Sequence, residues 1–210
     1  AGSITQLSDA LIENESIYLG NIPSDLTSAG QHNFTIGATA LDAIVAGDDN
    51  VAIGYDALTE NTNGGSNIAL GSKALYSNTT GYSNIAFGNQ SLYSSATGDD
   101  NIAIGFKALF SNTTGSNNIA MSYNSLYYNT TGYSNIASGK SALRYNTSGF
   151  DNVAIGYQAL LDNTTGAYNI AIGYRTLHEN TTLDGAVAIG GFALTSNTTG
   201  SRNVGVGFGA

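Results

Sequence analysis

The chain has 210 residues, a net charge of −9, only 10 % charged residues and no cysteine. Disulfides and cysteine-ligated metals are therefore excluded, and no apolar run is long enough to cross a membrane as a helix. The six basic residues, Lys73, Lys107, Lys140, Arg144, Arg175 and Arg202, are scattered along the chain. They form no basic stripe, which argues against nucleic acid or anionic lipid as partners, since both need clustered Lys and Arg.

In chain order, Ala1-Gly2-Ser3 is the kind of remnant that expression vectors leave. Ile4 to Glu15, with Leu7, Leu11 and Ile12, predicts a short helix or arm, so residues 1–15 are read as an N-terminal arm or linker. Ser16-Ile17-Tyr18-Leu19-Gly20 then opens a degenerate coil over residues 16–32, which holds the only proline, Pro23. From Asn33-Phe34-Thr35-Ile36-Gly37 onward the same five-residue signature returns every 17 residues without an insertion. It starts at Asn50, Asn67, Asn84, Asn101, Asn118, Asn135, Asn152 and Asn169, survives at Ala186, and ends at Asn203. A fixed period in this range means stacked identical units, here twelve copies over residues 16–210.

With each Asn as position one, positions two and four are large and apolar, as in Ile102 and Ile104 or Ile170 and Ile172, and position three is almost always Ala. This alternation is the period of a short strand, with the large pair on one face and Ala on the other. Position five is Gly in every full copy except at Ser122 and marks a bend. Positions eight and nine read Ala-Leu, as at Ala108-Leu109, and supply a second apolar anchor through Leu109 and Leu177. Asn-Thr-Thr-Gly, as at Asn112 to Gly115, closes the turn. Each copy is thus expected to be strand, bend, second short strand and turn. Stacked as parallel strands about 4.8 Å apart, twelve coils make a rod on the order of 55–60 Å long. The Asn at position one is expected to form an amide ladder up the rod. The last copy stops at Ala210 without a capping segment, so the chain reads as part of a longer fibre or as a unit that stacks end to end.

The run Asn-Ile-Ala-Ile-Gly with the following Ala-Leu, at Asn101–Gly105 and Ala108-Leu109, resembles the head repeats of trimeric autotransporter adhesins. The fuller pattern ending in Asn-Thr-Thr-Gly is more similar to repeat regions of bacteriophage tail-fibre proteins. The resemblance implies an all-β fold, a parallel β-solenoid of the left-handed β-roll type, assembled as a side-by-side homotrimer. It implies a structural fibre on a virion or extracellular surface, most simply a phage tail- or head-fibre shaft for host attachment. The alternative is a bacterial adhesin or self-assembling surface filament. A trimer also has an argument from the residues. A thin roll cannot bury both apolar sets, and a continuous exposed Ile/Val stripe demands a partner. The alternation alone leaves open which set faces that partner.

Candidate chemistry is sparse, and neither a catalytic site nor a cofactor is expected. His32 and His178, the only histidines, lie far apart and read as solvated. Asp48-Asp49 and Asp99-Asp100 share a phase and carry the residue type of a calcium site, though three coils, about 14 Å, separate the pairs. No column of acids offers the close carboxylate pair of a glycoside hydrolase. Two aromatic columns recur. One follows the bend, with Tyr55, Phe106 and Tyr123. The other, Tyr76, Tyr93, Phe110 and Tyr127, follows the Leu and is a candidate surface for a host glycan or protein. Asn-Thr-Thr at Asn78, Asn112, Asn129, Asn163, Asn180 and Asn197 matches the glycosylation acceptor pattern, although the turn needs Asn regardless.

Overall fold

Every 17-residue repeat closes into one coil, and the coils stack by parallel pairing. The computed structural model describes residues 10–13, 15–20 and 30–210. Among these there is no helix. One sheet of thirteen strands runs in strict sequence order. Strand β1 (Ala10–Glu13) pairs antiparallel with β2 (Ser16–Leu19), Ala10 opposite Leu19. From β2 on, each coil adds one parallel strand, through β3 (Phe34–Ile36) and β7 (Ile102–Ile104) to β13 (Val204–Val206). Twelve parallel strands bound eleven turns, so the chain is an all-β parallel solenoid of about eleven turns. The register never shifts: Ile102 sits on Ile119, Ala103 on Ala120, Ile104 on Met121.

Two expectations are corrected here. Over Ala10–Glu13 the predicted helix or arm is a strand, joined to the sheet ahead of the solenoid boundary expected at 16; residues 1–9 and 14 lie outside the described residues. The second short strand at Ala-Leu is a run of stacked turns. Its cause is backbone handedness. Positions seven and nine both adopt positive φ, as at Asp56 (54°) and Leu58 (55°), and an extended strand does not accommodate that alternation. The segment still ties coil to coil, because Leu58 N–H donates to Ala74 C=O at 2.9 Å and Asp56 N–H to Ala38 C=O at 3.1 Å.

The alternation is resolved by what lies inside. Ala at position three, Ala at eight and Leu at nine are buried in nearly every coil and make one continuous core, including Leu109 and Leu177. The strand wall and the turn wall meet across it: a Cβ on Gly205, at position three, would come within 2.8 Å of Leu194 Cγ, at position nine. Position three is Ala in every coil from Ala52 to Ala188, with Thr35 buried there in the coil before. A buried Leu contributes about 2 kcal/mol, which offsets the roughly 1 kcal/mol that the left-handed region costs a residue with a Cβ. At position five a Cβ on Gly54 would lie 2.7 Å from the carbonyl carbon of Gly71 in the next coil, at a φ of 134°. Glycine is favoured there twice over, by handedness and by the close approach of stacked backbones.

Candidate functional site

The outward side of the strand wall is the largest feature. Positions two and four point away from the core in all twelve parallel strands, which gives 24 outward positions; Ser138 is the only polar residue among them. Ile102 and Ile172 are half-buried, whereas Ile104 is 39 % and Ile170 36 % exposed, so these four belong to the outer face and not to the core. Phe87 and Ile155 are more open still, at 56 % and 41 %. The face runs about 53 Å along the rod and is about 10 Å wide, on the order of 500 Å². That is at the upper end of what monomers leave uncovered. Exposed rings at Tyr82, Tyr123 and Tyr133 border it.

Behind this face the position-one Asn residues form an unbroken chain of amides from Asn33 to Asn169. Asn118 is representative. Its backbone N–H and its Nδ2 both donate to Asn101 Oδ1, at 3.0 and 3.1 Å, and Nδ2 also donates to Gly132 C=O at 2.9 Å. The same three bonds recur at Asn50, Asn67, Asn84, Asn101, Asn135, Asn152 and Asn169, the last to Leu183 C=O where Gly stands elsewhere. Every side-chain donor and acceptor is used while fully buried, the condition under which a buried amide stabilises instead of destabilising.

A second ladder was not anticipated. Asn61, Asn78, Asn112, Asn129, Asn146 and Asn163, at position twelve, are also fully buried. Asn78 Nδ2 donates to Asn61 Oδ1 at 2.9 Å, and Asn146 Nδ2 to Asn129 Oδ1 at 2.7 Å. Asn78, Asn112, Asn129 and Asn163 among them are Asn residues of the glycosylation pattern. Their side chains are committed to the corner and are not open to an acceptor reaction in the folded chain. The ladder breaks at Ser95, leaving Asn78 Oδ1 and Ser95 Oγ buried without partners.

The aromatic column Tyr76, Tyr93, Phe110 and Tyr127 is a stack, with centroids 5.1–5.2 Å apart and planes within 9°. Lys73 lies over Tyr76 at 5.6 Å and Arg144 over Tyr127 at 5.8 Å. Ring faces inside the column are therefore taken by neighbouring rings, and the column offers edges and hydroxyls to a ligand.

The paired carboxylates serve the backbone. Asp48 Oδ1 accepts Gln31 N–H and Asp99 Oδ1 accepts Tyr82 N–H, both at 2.7 Å. Among the described residues no group of three or more His, Asp or Glu is placed to hold a metal ion. The histidines sit in contrasting surroundings. His32 is exposed between Glu15 (2.7 Å) and Asp49 (3.2 Å). The hydrogen bond to Glu15, aided by the charge of Asp49, raises its pKa above the usual value. His178, read as solvated, is only 8 % exposed, with Arg175 Nη2 3.3 Å from its Nε2. Burial, then the Arg175 charge, lowers its pKa. No helix among the described residues is long and apolar enough to cross a membrane. No family model, curated protein or solved structure matches the chain.

Proposed function

We propose that this chain is the shaft of a surface fibre, a left-handed β-roll that assembles as a side-by-side homotrimer through its strand wall. The reading places it on a virion or extracellular surface, as a phage tail- or head-fibre segment that mediates host attachment. Its work is mechanical: stacked coils give stiffness and spacing, with no catalysis. The observation that carries this is the outward face of β2–β13, apolar at all but Ser138. A face this long and flat, free of charge, invites uncontrolled edge and face association unless a defined partner covers it. Three copies around an axis, each presenting the same wall, cover all three faces in closed symmetry.

The test is the mass in solution. Static light scattering on the size-separated chain is expected to give three times 21.5 kDa. Replacing Ile104 and Ile155 together with Lys should shift the mass to that of one chain while the far-UV circular dichroism stays unchanged, because both side chains are outside the core. A wild-type monomer at micromolar concentration would overturn the trimer.

A further inference from the structure

By coil phase the cations gather on a second surface. Four of the six cations, Lys73, Lys107, Lys140 and Arg144, fall at positions six, seven and ten of the turn wall within five consecutive coils. At positions six, seven, ten and eleven of those coils, residues 72–145, there is no Asp or Glu, although the chain as a whole carries a charge of −9. Only Lys73 has an acidic neighbour, Asp56 at 3.8 Å; among the described residues Lys107, Lys140 and Arg144 form no ion pair. They rest instead on rings. Lys107 lies 5.1 Å from the centroid of Phe110 and 5.3 Å from that of Phe106, Lys140 5.6 Å from that of Tyr123, and Arg144 5.4 Å from that of Tyr145. A cation held by cation–π contact is fixed in place yet keeps its charge unneutralised.

We infer that this wall, from Lys73 to Arg144, is a binding surface for an acidic polysaccharide chain lying along the rod. Three observations select that ligand. The cations recur two coils apart, about 10 Å along the axis, which suits a linear polymer with sparse, regular carboxylates, about one per disaccharide. Between them stand polar groups such as Gln90 and Asn89 and the tyrosine edges of the stacked column, which suit sugar hydroxyls. A nucleic acid fits worse: its strand carries a phosphate about every 3.4 Å, far denser than these cations, and its bases need open ring faces, which the column has closed. The turn wall lies across the core from the strand wall, so the surface stays accessible when three strand walls meet. The inference rests on the attachment reading for its biological sense, but not on the trimer for its chemistry.

The experiment is titration calorimetry with an acidic hexamer of alternating glucuronic acid and N-acetylglucosamine, which carries one carboxylate per disaccharide, a neutral glucose hexamer and an oligothymidylate as separate probes. The wild-type chain is expected to bind the acidic hexamer, to ignore the neutral one, and to lose at least about tenfold in affinity at 0.5 M salt, where screening acts within about 4 Å. Lys107→Gln with Arg144→Gln should weaken binding by about tenfold or more. Gln is accepted at the Lys107 phase, since Gln90 and Gln158 hold the same positive φ. Arg202→Gln, away from the wall, should leave binding unchanged. No binding of the acidic hexamer, equal binding by the double variant, or tighter binding of the oligothymidylate would each overturn the inference. Light scattering on the same samples separates the two readings: binding by a monomer sinks the trimer and leaves this surface standing.

Discussion

Replacing Ser95 with Asn should stabilise the rod. Position twelve is a buried Asn in the flanking coils, but at Ser95 the column is interrupted, and Asn78 Oδ1 and Ser95 Oγ are both orphaned. Asn112 Nδ2, cut off from a ladder partner, donates only to Gly115 C=O at 2.8 Å. In the intact part of the column each Asn gives one bond down the ladder and one to the Gly three residues on, as Asn129 does to Asn112 (2.8 Å) and Gly132 (2.9 Å). Asn at 95 would add three such bonds, its own two and the one it accepts from Asn112. The gap also shows as space. A Cβ on Gly81 would collide with Asn78 Oδ1, whereas the nearest side-chain atoms to a Cβ on Gly98 are Nδ2 of Asn101 and Asn112, at 3.1 Å. At about 1 kcal/mol net per buried hydrogen bond, less about 1 kcal/mol for ordering the longer side chain, the gain is about 2 kcal/mol. Urea unfolding with an unchanged slope measures it. Ser95→Ala is the control, since it removes the orphaned hydroxyl and leaves Asn78 Oδ1 unpaired. If Ala stabilises as much as Asn, or Asn does not stabilise at all, the ladder is not the source of the energy and the reasoning fails.

Ser122→Gly should also stabilise, by about 1 kcal/mol. Ser122 holds a φ of 120° at the phase where the other coils carry Gly; relief of about 2 kcal/mol of backbone strain is partly offset by the greater chain entropy of Gly. A drop in the urea midpoint would contradict it. The two histidines give opposite pH slopes. His32, raised in the folded state, contributes stability that is present below the unfolded pKa near 6.5 and fades as pH rises through its folded value; His178, lowered, contributes stability that is present above about 6.5 and is lost as pH falls toward its folded value. Unfolding between about pH 5 and 8 should therefore show a shallower acid-side loss in His178→Asn and a steeper one in His32→Asn. Identical profiles for both variants and the wild type would refute the assignments.

How much of this was legible in the sequence depends on what each residue type can do. The period, the register and the first Asn column follow directly from Asn and Gly recurring at fixed phases. The orientation of the strand did not, because alternation of Ile, Ala and Ile is symmetric until something occupies one side. The Leu at position nine does so, and it faces position three across the core, where a small residue, Ala from Ala52 to Ala188, stands. The turn conformation of Ala-Leu was hidden because Leu is rarely left-handed. Ten successive leucines, Leu41 to Leu194, take that conformation, each backbone held by cross-coil bonds that a single sequence does not display. The second ladder had a visible signal that was read too narrowly. Turn chemistry explains an Asn at one corner, but an Asn in almost every coil from Asn61 onward exceeds what a turn needs. The cations were misjudged for a geometric reason: residues 34 apart, such as Lys73 and Lys107, are remote in the chain and neighbours on one wall of a solenoid with a 17-residue period.

The ladders also show where the rod is least tied together. At the junction after Asn169 both are disturbed at once. Ala186 replaces the position-one Asn, so Asn169 Oδ1 keeps only the Ala186 N–H at 2.9 Å. Leu183 replaces the corner Gly, and the Asn180–Asn163 bond lengthens to 3.5 Å. The strands β11 (Ile170–Ile172) and β12 (Val187–Ile189) nevertheless stay in register. Backbone pairing and core packing therefore keep the register through a coil where both amide ladders are weakened. In a one-dimensional stack stability is a sum of neighbour terms, so the ladders set how strongly each coil holds the next, while Ala, Leu and Gly set the shape of the coil. That division leaves the outward residues of both walls unconstrained by the fold. An apolar strand wall and a basic aromatic turn wall, laid on the same interior, are then best explained by what each wall meets outside the chain.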